Sequence, residues 1–278
     1  MDFGAILLNR YKGVNVDYNK ELLWEENFVG QKSAALDPSI WNLDLGDGSH
    51  IGLVGWGNNE REFYTADSIT IDGALTISAQ RQPADNPIQA YYGPAEWTSG
   101  KMHTANKVGF TYGLLEIKAK MPQGQGTWPA LWLLGSSLVH GTSWPQCGEI
   151  DIFEGTGAHP YQVQGTIHGD GYFGENGLTQ IIQNSVALHE DFHTYGINWS
   201  KDRIEWLFDG AVYNVIERSD SRLSGKAWSY NEEFYLIINL AIGGWFAGEV
   251  DPALESAQLL VESIKYFSVN GVGTLTLN

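Results

Sequence analysis

The sequence predicts an all-β fold, a sandwich of antiparallel sheets. Three observations carry this: short segments alternating apolar with polar residues recur along the chain, Asp-Gly pairs separate several of them, and helical periodicity is scarce. No linker-like stretch divides the 278 residues, and a single large sandwich reaches that length.

Residues 1–20 are polar and lack clear periodicity, so a terminal strap or disordered lead is expected there, with one domain over 21–278. The domain opens at Leu22 to Phe28. Ser68 to Ile71 and Ala74 to Ser78 form a hairpin, because Asp72-Gly73 supplies the positive φ of a tight turn. Leu115 to Met121 alternates cleanly, as do Tyr195 to Trp199 and Ile204 to Phe208. The last of these turns at Asp209-Gly210 into Val212 to Ile216. Phe234 to Leu240 is a nearly continuous apolar strand, Leu259 to Phe267 closes the domain, and Asp220 to Leu223 is a single helical turn.

Composition narrows the function. Hydrophobic residues make up 43% of the chain, enough for a sizeable core, and 33 glycines with 11 tryptophans suit many turns plus an aromatic-lined groove. The 16 basic and 33 acidic residues leave a formal charge of −17, which repels phosphate backbones and anionic membranes and favours a neutral substrate over a sulfated one. Cys147 is the only cysteine, so no internal disulfide forms; lacking a Cys/His constellation, it reads as a packing residue. No run approaches the roughly 18 apolar residues of a membrane-spanning helix. Met1 to Leu8 has an apolar patch but an acidic start, unlike a signal peptide.

The chemistry concentrates in Gly148-Glu149-Ile150-Asp151-Ile152-Phe153-Glu154, where three carboxylates interrupt an apolar strand. Charges among such residues are costly unless something uses them. Alternation puts Glu149 and Asp151 on one face and Ile150 and Ile152 in the core, but leaves Glu154 on the wrong side. A bulge near Ile152-Phe153 is therefore predicted, returning Glu154 to the acidic face and keeping Phe153 buried. Glu149 and Glu154 would then lie roughly 13 Å apart at Cα, at about 3.3 Å per pleat step. Side chains leaning together close that to about 5 to 6 Å, the separation of a nucleophile and an acid in retaining glycosidases. The alternative reading of this pattern alone is a solvent-facing acidic stripe on an edge strand. Three crowded carboxyls retain a proton near neutral pH, and Glu154 is its expected holder.

Glu-Ile-Asp-Ile-Phe-Glu resembles the E-x-D-x-x-E signature of glycoside hydrolase family 16, in its laminarinase-like branch. The resemblance extends to Gly55-Trp56-Gly57-Asn58-Asn59-Glu60, Thr111-Tyr112-Gly113, Gly124 to Trp132, Gly165-Thr166-Ile167-His168 and Asn239 to Gly244, in the family's order. It implies a concanavalin-like β-jelly roll whose concave sheet forms the substrate cleft. It further implies a secreted, retaining endo-β-1,3-glucanase acting on laminarin-like glucans, with mixed-linkage β-1,3-1,4-glucan as a second substrate and without a cofactor for catalysis; nothing in the sequence suggests an obligate partner, so a monomer is expected. Glu149 would be the nucleophile, Glu154 the acid/base, and Asp151 would hold the nucleophile by hydrogen bonding.

A glucan cleft also needs flat apolar surfaces for the C–H faces of sugar rings. Trp128 and Trp132, four apart in a strand-like run, share one face, and the resemblance places them at the glycone subsites; packing in the core is the other reading. Trp56, Asn59, Trp144 and Trp245 are further candidates for this groove, and His168 for a hydrogen bond to Asp151 or substrate, although a structural histidine fits equally. A structural Ca²⁺, common in the family, would use Glu26 and Glu262, the latter standing where aspartate is usual. Lys101 and Leu114 replace usual arginines, which puts polar contacts along the cleft in question.

Two motifs lead elsewhere and are set aside. Gly169 to Gly174 spells G-x-G-x-x-G without a following helix pattern to present amides to a phosphate. Asn198-Trp199-Ser200 is a glycosylation sequon inside a predicted strand. Two rivals to the glucanase stand. A non-catalytic β-glucan-binding module on the same fold would be expected to lack one or both glutamates, and a family 16 hydrolase specific for a galactan such as agar shares the bulged signature.

Overall fold

The structure is a computed structural model and describes residues 14–15, 18–85 and 87–278. Two large sheets of twelve and nine strands pack face to face, with a separate two-stranded ribbon. The expected sandwich is present. Pairing is antiparallel except between Glu62–Tyr64 and Trp97–Ser99, which run parallel. Most of the lead expected over 1–20 lies outside the described residues. Within it, Val14–Asn15 pairs with the Ala211–Glu217 strand, and the first long strand, Lys20–Asn27, begins at its end.

The nine-stranded sheet carries the site. Its main path runs through Leu178–Gln183, Gln162–His168, Glu149–Glu154, Thr127–Gly135, Phe234–Ile242, Lys101–His103 and Asn42–Asp44. Every residue of Phe234–Ile242 is buried, because this strand has the core on one face and a packed cleft floor on the other. That explains its continuous apolar reading. In the opposing sheet Gly113–Lys120 has one wet face: Leu115, Ile117 and Ala119 are fully buried, while Lys118 is exposed.

The turns follow the expected chemistry. Asp209 and Gly210 both take positive φ, 47° and 77°, as a two-residue hairpin turn demands, joining Arg203–Phe208 to Ala211–Glu217. Asp220 accepts a hydrogen bond from the Arg222 backbone N–H and starts the 3-10 turn Ser221–Leu223. Gly244–Ala247 is the only α-helix among the described residues.

One glycine is required for the two sheets to meet behind the acidic strand. A Cβ at Gly165 would stand 2.3 Å from Cδ1 of Trp206, which crosses the core from the other sheet. The Trp206 indole N–H donates to the Asp151 carbonyl at 2.8 Å. The backbone of the acidic strand is thereby fixed from beneath.

Candidate active site

Against Thr127–Gly135, the acidic strand slips register once: Leu131 faces Phe153 and Trp132 faces Asp151, leaving Ile152 unpaired. This is the predicted bulge, and it turns Glu154 toward the acidic face. Ile150, Ile152 and Phe153 all lie in the main core, at most 1% exposed. The strand is central rather than at an edge, flanked by partners on both sides, so the reading as an exposed acidic stripe is overturned.

Each glutamate has an indole donor. Trp144 Nε1 donates to Glu149 Oε2 at 2.9 Å, and Trp128 Nε1 donates to Glu154 Oε1 at 2.9 Å. His168 sits opposite Glu149 in the neighbouring strand, its Nε2 3.2 Å from Asp151 Oδ2 and 3.7 Å from Glu149 Oε1. Burial is the main cause that raises the Glu149 carboxyl to about 8, Asp151 to about 7 and Glu154 to about 8, and the charge of Asp151 contributes to the rise of both glutamates. The cluster therefore carries protons at neutral pH, which an acid catalyst in a carboxylate pair requires.

The neighbouring strand builds a wall. Trp128 packs on Ala241 and Ala247, with the Phe246 ring 5.2 Å away. Trp132 donates its indole N–H to Asn239 Oδ1 at 2.9 Å. Trp144 is 42% exposed with Phe173 edge-on at 5.4 Å, and Trp245 is 75% exposed, so both offer open ring surface. Asn59 accepts from the Tyr91 hydroxyl at 3.0 Å.

Trp56 is as buried as Trp128, each being 8% exposed; it donates to the Gly46 carbonyl at 3.2 Å and packs on Tyr64 and under the Lys101 ammonium. Its ring sits behind the Lys101 side chain rather than beside a catalytic carboxylate. Lys101 lies 5.6 Å from the Trp132 ring centroid and pairs with Asp44 at 3.4 Å, so this departure does fall beside the tryptophan wall. Leu114 does not. It is fully buried in a small cluster of the opposite sheet with Leu207, Val212 and Val269, and the effect on cleft contacts expected of it is withdrawn.

Glu26 and Glu262, the expected calcium ligands, each meet a protein donor. The Glu262 carboxylate holds the Lys118 ammonium at 2.6 Å, and Glu26 accepts the Trp41 indole at 3.4 Å. Calcium needs about six to eight oxygen ligands. Among the described residues the one group of three or more metal-ligating side chains is Glu149, Asp151 and His168. The glycine-rich decoy ends in a three-residue 3-10 turn, and the Asn198 amide is engaged by Glu205 at 2.8 Å.

The sequence reading missed Glu62, Tyr64 and Asn239 as parts of this region. Asn239 had a signal, as the one amide side chain in the apolar run Phe234–Ile242. The burial of Glu62 had none, since it depends on a parallel pairing with a distant segment.

Paired carboxyl groups raised by burial, set beside aromatic rings on the cleft sheet of a sandwich, define the class of glycoside hydrolases. The chain belongs to glycosyl hydrolases family 16, whose family model matches residues 57–262. A beta-glucanase of Rhodothermus marinus is 36% identical over 258 residues, covering 89% of this chain and 85% of that protein. The catalytic domain of an endo-1,3-beta-glucanase (laminarinase) from Thermotoga petrophila superposes with a TM-score of 0.84 at 35% identity, covering 91% of this chain and all of the other. An endo-beta-1,3-glucanase from Pyrococcus furiosus gives 0.84 at 34% identity, covering 93% and 98%.

Proposed function

We infer that this chain is a retaining endo-β-1,3-glucanase that cleaves laminarin-like glucans outside the cell. The observation that carries it is the bulge at Ile152, which sets Glu149, Asp151 and Glu154 on one face beside Trp128 and Trp132. The net charge of −17 suits a neutral polysaccharide, and the likeness to endo-1,3-beta-glucanases over most of the chain supports the linkage.

In this reading the reactive form is the one in which Glu149 has lost its proton and Glu154 keeps one: Glu149 attacks the anomeric carbon while Glu154 gives its proton to the departing glycosidic oxygen. The C–O bond breaks and a glycosyl ester forms on Glu149. Esterification removes the Glu149 charge, so repulsion on Glu154 falls and the carboxylate left there can accept a proton from water. That water attacks the same carbon from the other face, releases Glu149 and retains the configuration. The Trp144 N–H and His168 steady Glu149 through the first step, and the Trp128 N–H does so for Glu154 once it is ionised.

The deciding experiment measures reducing ends released from laminarin by wild type and Glu149→Ala at equal folded concentration. Activity in the wild type with a loss of roughly a thousandfold or more in the variant supports the assignment. Equal activity in both would remove Glu149 from the mechanism. Binding of laminarin without release by either would favour a binding module instead.

A further inference from the structure

Behind the tryptophan wall lies a second pair of acids that the reaction does not use. Glu60 is 5% exposed and Glu62 is fully buried, with Tyr64 and Asn239 also buried beside them. Glu60 Oε1 accepts from the Asn58 amide at 2.9 Å, and Oε2 accepts from the Tyr64 hydroxyl at 3.3 Å. Glu62 Oε2 accepts the Ile242 backbone N–H at 2.7 Å, but Glu62 Oε1 is buried and meets no donor. An orphaned carboxylate oxygen in that position is costly, and two adjoining buried carboxylates cannot both ionise cheaply. The Glu60 and Glu62 carboxyls are in side-chain contact, and a proton on Glu62 given to Glu60 resolves both problems at once.

Glu60 stands where two lines of contact toward the cleft begin. One runs through the Tyr64 hydroxyl, which accepts from the Asn239 amide at 3.2 Å, and Asn239 in turn holds the Trp132 indole at 2.9 Å. The other runs through Asn58, whose carbonyl accepts the Trp245 backbone N–H at 2.9 Å. A Cβ on neighbouring Gly244 would stand 2.9 Å from that same carbonyl and 3.0 Å from the Trp128 ring, which shows how tightly this turn backs the wall.

We propose that Glu62 is a neutral carboxylic acid that donates to an ionised Glu60, and that Glu60 is a positioning residue fixing Trp132 and the turn bearing Trp245 for sugar binding. Burial and the adjacent Glu60 charge both push the Glu62 carboxyl well above the usual range, in the same direction. Burial raises the Glu60 carboxyl as well, but there the Glu62 contact, the Lys101 ammonium and the Asn58 and Tyr64 donors all act the other way and favour its ionised form. The positioning half rests on the glucanase reading above; the proton on Glu62 does not.

The test has two arms that separate those failures. The infrared difference spectrum of wild type minus Glu62→Gln at neutral pH should show the carbonyl stretch of a protonated carboxylic acid; a carboxylate band in its place overturns the proposal whatever the enzyme does. In the kinetic arm, Glu62→Ala and Tyr64→Phe should raise KM for laminarin about three- to tenfold with kcat changed less than twofold, as expected for losing ligand-positioning contacts. Glu62→Gln, which keeps a donor toward Glu60, should restore KM relative to Glu62→Ala. If Glu62→Ala does not fold, Tyr64→Phe carries this arm, since it removes one hydroxyl. An unchanged KM in Tyr64→Phe, or Glu62→Gln no better than Glu62→Ala, overturns the positioning role.

Discussion

Trp128 donates its indole N–H to Glu154 at 2.9 Å, so one side chain both packs beside the acid and favours its ionised form against the burial that raises it. Replacement by phenylalanine separates the two roles, keeping an aromatic face and deleting the donor. A hydrogen bond to a charged group contributes about 1.5 kcal/mol or more, which corresponds to roughly one pKa unit. The bond favours the ionised form, so its loss raises the pKa of Glu154. In Trp128→Phe the alkaline limb of kcat/KM should move up by about one pH unit. A pH profile with that limb unmoved would show that Glu154 does not govern it.

Burial of the carboxyl cluster also makes the fold sensitive to pH. Glu149 and Glu154 titrate near 4.5 when unperturbed and are raised to about 8 here. Between those values the folded state binds more protons than the unfolded chain, so stability is fully present below the unfolded pKa and is lost as pH rises through the folded one. Glu154→Gln removes one of these groups and relieves its neighbours. The variant should match wild type in unfolding free energy near pH 4 and exceed it near pH 8 by up to about 5 kcal/mol, from the rise of 4.5 to about 8 at about 1.4 kcal/mol per unit, with a correspondingly higher thermal midpoint. Equal midpoints at pH 8 would mean that the cluster sheds its charge cost by another route.

The unequal legibility of the site has a physical cause. Alternation fixes which side chains share a face, so the bulge at Ile152 followed from Glu154 alone, and the wall from the spacing of Trp128 and Trp132. Alternation does not say which sheet a strand joins. Leu114 and Lys101 both looked like cleft positions, yet only Lys101 pairs into the cleft sheet, opposite Asn239. Trp56 and Glu62 are buried by partners distant in sequence, at Lys101 and Trp97 respectively, and no local pattern encodes such contacts.

Trp245 offers a test of the groove free of a folding effect. Its side chain is 75% exposed, and its hydrogen bond to Asn58 uses the backbone, which any residue but proline supplies. Trp245→Ala should leave stability within about 0.5 kcal/mol of wild type. If its ring stacks on a sugar, losing about 1 kcal/mol of contact should raise KM for laminarin about fivefold. An unchanged KM for long and short glucans alike would place Trp245 outside the groove.

Deleting residues from the acidic strand tests the bulge itself. Without Ile152 the ladder against Thr127–Gly135 becomes continuous, since Leu131 already faces Phe153 and Trp132 already faces Asp151. Strict alternation then keeps Glu149, Asp151 and Glu154 on the cleft face, with Phe153 taking the vacated core position. Loss of the buried Ile152 side chain costs about 2 to 5 kcal/mol, so the protein should fold with lower stability and keep measurable activity. Deleting Ile150 is different in kind, because it sets Glu149 directly beside Asp151 and forces a carboxylate from the cluster into the core. That chain should be insoluble or inactive, since a buried unpaired charge is far costlier than a cavity. A folded Ile152 deletion as inactive as Glu149→Ala, judged by circular dichroism alongside reducing-end release, would mean that the bulge sets catalytic geometry beyond the choice of face.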